Sequence, residues 1–371
     1  MENFVLLGSL DQHIKNKQAM NKCRLCNNND ADFEGSHLIS DFILRSMLVD
    51  GNINKRSDKI ISNRIDTLGT DLFLGREIDE EKVKKILDRD LTEDDRKNNI
   101  NHYTINNLMC TICEKRLSYL ETIFKIDIYD KLSALEVNIK STSLDSKMTC
   151  IFKLFWLSII WRCSVANFGT FSIDKKSENR IKHIIYNSLG DNVKETRELI
   201  TKKCSIINEE TIGILHVTKT DNYLKNWVFL NPFLQMPYSL IINDFYIFFY
   251  SKYGHVKAVK QSMFKLDNEF KLEDYINAPK CSSIKIGIIS PAKFDISRKY
   301  IYSLKAEDFL KKATELHHDI FLLSTGKVPP KEITASFIDI LINEKNVNFN
   351  ERYKEKRILL KIKENIIKHT K

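Results

Sequence analysis

The 371-residue sequence predicts an α+β fold, mostly helical, with a metal-clamped unit at its N-terminal end. Three observations carry that reading. Only 11 glycines and 6 prolines interrupt the chain, and long segments repeat apolar residues at helical spacing. Between about 211 and 261 the texture changes to short β-rich runs, which predict a small antiparallel sheet. Two Cys-x-x-Cys pairs, Cys23/Cys26 and Cys110/Cys113, supply the four thiolates that a closed tetrahedral zinc site takes.

The N-terminal unit, residues 1–133, is organised around those pairs. Residues 9–21 read as a polar arm leading to the first pair, and Asn27, Asn28, Asn29 and Asp30 after it favour a tight turn. The extended segment 33–39 carries His37. Residues 41–48 follow as a helix with Asp41 in its first turn. The second pair runs straight into Glu114–Glu121, a helix that continues through Phe124 toward Leu132 on a stripe of Leu117, Leu120, Phe124 and Ile128. Together these segments predict a zinc-clamped ββα unit. Cys26 and Cys110 are 84 positions apart, so the polar stretch 50–101 is an insertion. It is expected to form structure of its own or to cover the active face as a lid.

These residues resemble the HNH nuclease family, whose pattern is a Cys-x-x-Cys, a segment ending in the base histidine, an asparagine and a second Cys-x-x-Cys opening a helix. His37 matches the base, Asn106 or Asn107 the asparagine, and Glu114 the last ligand position. A narrower resemblance is to bacterial HNH-like proteins with a Ser-His-Ile-Ile-Pro-like segment and Cys-x-x-Cys-Glu. Ser36-His37-Leu38-Ile39-Ser40 and Cys113-Glu114, with Glu121, fit that version, Ser40 standing in place of the proline. The resemblance covers the first third of the chain. It implies a treble-clef finger, cleavage of DNA (RNA being the other substrate), structural zinc, catalytic Mg or Mn, and a role in defence against foreign DNA. Where the family puts a carboxylate or imidazole before the base, this chain has Ser36.

The chemistry can also be argued from the residues. Phosphodiester hydrolysis takes a base for water and a cation that neutralises charge on the phosphate. His37 is the natural base, because an imidazole ordinarily changes charge near neutrality. Mg²⁺ takes oxygen ligands, few of them from protein, and Glu114 and Asp41 are the candidates. Glu121, two turns after Glu114, is expected as an outer neighbour or a helix-pair residue. Two further readings stand beside the nuclease: a zinc-stabilised nucleic-acid-binding protein without cleavage, and a treble-clef protein-interaction module.

The remainder, 134–371, is expected to be a helix-rich α+β domain. Segment 152–165 is apolar nearly all round and predicts a central buried helix. Helices are expected at 178–187, 191–203, 305–323, 331–341 and 351–369, and strands at 211–217, 227–230, 238–242, 245–250 and 283–290. Asn243-Asp244 marks a two-residue hairpin. His216 reads as a satisfied core histidine and the pair His317-His318 as solvent-facing. Lys361, Lys363 and Lys368 on the last helix are candidates for phosphate contact, against the alternative of a solvated face. Net charge is +9, from 58 basic and 49 acidic residues, a modest excess compatible with a polyanionic partner.

Eight cysteines are too few for a secreted disulfide scaffold, and Cys150, Cys163, Cys204 and Cys281 read as buried free thiols. The start of the chain lacks the pattern of a signal peptide, and the apolar stretch 150–161 is short for a bilayer. A cytoplasmic protein with no membrane partner is expected, with a regulatory protein or a second copy of the chain as possible associates.

Overall fold

Trp156 and Trp161 lie at the centre of the molecule, both wholly excluded from solvent on one helix. The computed structural model describes residues 21–46, 61–65, 70–74, 90, 92–93, 103–135, 139–217, 227–230, 237–257, 272–277, 279–343 and 355–370. The expected arm at 9–20, and most of the 50–101 insertion with its lid, lie outside these residues.

In chain order the elements are β1 (Ser36–His37), α1 (Asp41–Ser46), β2 (Ile61–Ile65), β3 (Thr70–Leu74), β4 (Thr104–Ile105) and α2 (Thr111–Phe124). A π-turn at Lys125–Tyr129 carries α2 into a last turn at Asp130–Ser133. Then come β5 (Ser141–Leu144), α3 (Ser146–Val165), α4 (Lys175–Ser188) and α5 (Val193–Lys202). Strands β6 (Thr211–Val217), β7 (Trp227–Leu230), β8 (Tyr238–Ile242), β9 (Phe245–Tyr250), β10 (Ile276–Asn277) and β11 (Ile284–Ile289) follow. The chain closes with α6 (Pro291–Thr325), α7 (Lys331–Asn343) and α8 (Glu355–Thr370).

The sheet is larger than the sequence pattern implied. Its middle is the expected antiparallel run β7-β8-β9-β6, and Asn243, at φ 55°, makes the β8–β9 turn. Strand β11 joins β6 in parallel and pairs antiparallel with β5. At the other end the insertion supplies the hairpin β2–β3, with β2 parallel to β7. With β10 paired antiparallel to β6, the result is a nine-stranded mixed sheet among the described residues. Polar residues run together at 62–64 and 70–71 without a strand's alternation, so these strands were not picked out within the insertion.

Period-two alternation divides the sheet between two layers. Phe245, Ile247 and Phe249 face the core shared with α3, whereas Tyr246, Phe248 and Tyr250 face a second cluster with Phe294 and Ile301 of α6. Helix α3 is capped by Asp145, whose carboxylate accepts from the Met148 N–H at 2.8 Å. Its 20 residues are long and apolar enough to cross a membrane, but 89% of that span is buried inside the fold, so its composition is that of a core helix.

Helix α6 starts at Pro291, well before the expected position 305, because Ser290 caps it and proline suits the first helical turn. Its far half packs with α7 and α8 in a separate cluster around Phe337 and Ile362. That packing corrects the reading of His317. Its side chain is wholly buried, stacked on Phe337 at 4.4 Å, and its Nε2 lies 3.1 Å from Asn365 Oδ1. His318 is half-buried beside Thr334. The free-thiol reading is corrected for two cysteines: α3 and the turn at Cys204–Ile207 bring Cys150 and Cys204 together as a disulfide, Cα atoms 5.4 Å apart. Cys163 and Cys281 remain free. His216 is the core histidine expected, its Nε2 3.2 Å from Asp244 Oδ2, but its buried Nδ1 has no hydrogen-bond partner among the described residues.

Candidate metal centre and the histidine beside it

Backbone hydrogen bonds build the unit before any metal is considered. The Asn27 N–H returns to the Cys23 carbonyl at 2.9 Å, and Asn27 takes a left-handed φ of 60°, which asparagine tolerates. Arg24 and Phe33 donate to the carbonyls of Leu108 and Met109, while Asn107 donates to Phe33, so the two knuckles lie side by side. The pairing continues into β1 and β4, where Ser36 faces Ile105 and His37 faces Thr104 in antiparallel register. Gly35 turns the chain at φ +75° and donates its N–H to Asn106 Oδ1 at 2.8 Å. Asp32 accepts from the Thr111 N–H at 2.7 Å at the start of α2, and that bond holds its carboxyl below the usual range.

The four cysteine sulfurs converge within 4.8 Å of one another, and Cys26 and Cys110 are 3.9 Å apart. Tetrahedral zinc–thiolate bonds of about 2.3 Å separate sulfurs by about 3.8 Å, so the cluster has the spacing to hold a metal such as zinc. Asn29 Nδ2 donates to Cys110 Sγ at 3.6 Å. A hydrogen bond from the Cys113 thiol draws the Cys23 thiol down to about 4, while Cys113 is pushed up in return.

His37, on β1, is half-buried. Its Nε2 is 3.7 Å from Asp41 Oδ1, one helical turn on at the start of α1. Glu114 in the first turn of α2 is also half-buried, and its Oε2 is closed off from solvent. Burial raises its carboxyl above the usual range. The positive charge of Arg162 opposes that rise, the Glu121 carboxylate adds to it, and the Ser36 hydroxyl and the His37 backbone stand on the opposing side. The Ser36 hydroxyl and the His37 backbone are thus the near neighbours of this carboxyl, but among the described residues neither Glu114 Oε2 nor the fully buried Ser36 Oγ makes a well-formed hydrogen bond. A closed-off carboxylate oxygen is matched by a donor, by a proton or by a hard cation.

Of the expected site residues, the fold sets Asp41 3.7 Å from His37 and places Glu114, next in sequence to Cys113, against the Ser36–His37 strand. Asn107 is an exposed turn residue at φ 58°, and it is Asn106 whose side chain ties β4 to the segment before β1. Lys363 and Lys368 are exposed on α8, and Lys361 pairs with Glu364 at 2.8 Å; all three belong to the C-terminal helical cluster, apart from the core that holds the finger.

One residue the motif reading passed over is Arg162 of α3. It is 1% exposed, donates from Nη1 to the His37 carbonyl at 2.6 Å and from Nη2 to Glu121 Oε1 at 2.8 Å. A signal for it existed: a charge in an otherwise apolar helix demands a buried partner. Comparison with protein-family models, with curated proteins and with solved structures gave no match for this chain.

Proposed function

We propose that this protein is a metal-dependent endonuclease of the HNH kind, hydrolysing phosphodiester bonds of DNA. The observation that carries the reading is His37 with Asp41 3.7 Å from its ring and the closed-off Glu114 carboxyl against the Ser36–His37 strand, on a strand–strand–helix unit with four converging cysteines. Cys23, Cys26, Cys110 and Cys113 would hold structural zinc. Glu114, with Asp41, would hold Mg²⁺ or Mn²⁺, whose charge would neutralise the phosphate and the leaving oxygen. His37, held on β1 with a carboxylate beside its ring, takes the proton from the attacking water. Glu121 does not reach toward the cation; it pairs with Arg162. Zinc-stabilised binding without cleavage is the second reading, and the buried neutral Ser36, where the family has a charged ligand, favours it.

The test is nicking of supercoiled plasmid by wild type and His37→Ala, with Mg²⁺ or Mn²⁺ and with chelator. Metal-dependent nicking that falls by about 100-fold or more in the variant is expected, the size of a general-base contribution. No nicking from folded, zinc-loaded protein that still binds DNA in a salt-dependent way would establish the binding reading instead.

A further inference from the structure

We infer that Arg162 is a positioning residue of this site, fixing the strand that carries His37 relative to the helix that carries Glu114; the inference rests on the nuclease reading above. Strand β1 has two residues and pairs with only two on β4. A ribbon that short does not by itself fix the height and rotation of the His37 ring. The missing constraint comes from α3, in the other part of the chain. Arg162 Nη1 donates to the carbonyl of His37 itself, and Nη2 to Glu121, two turns along the helix that begins beside Glu114. Nε is anchored on its own helix by the Ser158 carbonyl at 3.3 Å.

One planar guanidinium therefore spans the base strand, the carboxylate helix and the central helix. Lysine lacks the fork that reaches two acceptors at fixed angles. A core-filling role would need neither the contact to the His37 carbonyl nor a carboxylate partner, and an apolar side chain would serve it better.

The experiment compares wild type with Arg162→Met, Arg162→Lys and Glu121→Gln, each normalised to zinc-loaded, folded protein, measuring kcat and KM for duplex DNA in saturating Mn²⁺. Displacing a base by about an ångström costs on the order of 100-fold, so Arg162→Met should lose about that much in kcat with KM changed by less than about threefold. Arg162→Lys, which keeps the charge and one of the two contacts, should recover about tenfold of the loss. Glu121→Gln keeps an acceptor for Nη2 and should fall by less than about tenfold. Wild-type kcat in Arg162→Lys and Arg162→Met, or a loss confined to KM, overturns the inference while leaving the nuclease reading intact. If Arg162→Met does not fold, a wild-type kcat in Arg162→Lys overturns it alone. Failure of the wild type to nick DNA with any metal overturns the nuclease reading, and this inference with it.

Discussion

At the scale of single residues, Glu114 shows two physical effects in opposition. A carboxylate in the first turn of a helix is favoured by the helix dipole. Here burial prevails over Arg162 and the neighbouring Ser36 and His37 groups, and the carboxyl sits above its usual range with one oxygen closed off from solvent. A carboxyl whose folded pKa is raised destabilises the fold as pH climbs from the unfolded value through the folded one. Replacing it by the neutral isostere should remove that penalty. Glu114→Gln is therefore expected to raise the thermal midpoint near pH 7, with the gain vanishing below the ordinary carboxylate range, and to abolish metal-dependent nicking. Calorimetry across pH beside the plasmid assay checks both; a lower midpoint at neutral pH would mean that the carboxylate is stabilised by a partner. Trading stability for an available oxygen is the usual signature of a functional group.

At the scale of elements, helix α3 holds the molecule together and supplies Arg162 to the site. Its interior is fixed by packing, but its first turn depends on one side chain, since Asp145 alone accepts from the Met148 N–H. Asp145→Ala should cost about 1 kcal/mol, read as a fall in the urea midpoint at unchanged slope. The cap was not read from the sequence, where the apolar run put the start of this helix at 152 rather than Ser146. The hairpin β8–β9 was legible, because Asn243-Asp244 separates two β-rich runs by two residues. Strands β2 and β3 were not. Five polar-laced residues in each become strands only because β7 offers β2 an edge to pair with. His317 was misread for a related reason: on a single helix it looks solvent-facing, and only α7 and α8 closing over it bury it.

At the scale of the molecule, the finger is continuous with the body. Cys23, Leu38, Met109 and Leu117 lie in the same apolar cluster as Trp156, Phe245 and Ile286. Arg116 of α2 adds polar ties, donating to the carbonyls of Tyr186 and Leu189 at the end of α4, and Lys182 reaches Asn27 at 2.9 Å. Metal binding at the cysteines is then folding energy for the whole core. Stripping the metal with a strong chelator should lower the midpoint of the unfolding transition seen by tryptophan fluorescence, although Trp156 and Trp161 are far along the chain from the ligands. An unmoved tryptophan midpoint, with a separate early transition for the finger, would show two independent units.

The sequence by itself determined what is local. Cysteine spacing set the two knuckles, apolar periodicity the helices and the hairpin dipeptide the β8–β9 turn, because each depends on residues a few positions apart. His37 and Glu114 were legible because each sits at a fixed offset from a knuckle. Only the tertiary structure decided which distant groups meet. It put Arg162, 125 positions from His37, on that residue's carbonyl, joined Cys150 to Cys204, and drew the insertion into the large sheet. Such contacts follow from how helices and strands pack, and a buried charge or thiol takes whichever partner that packing brings within reach.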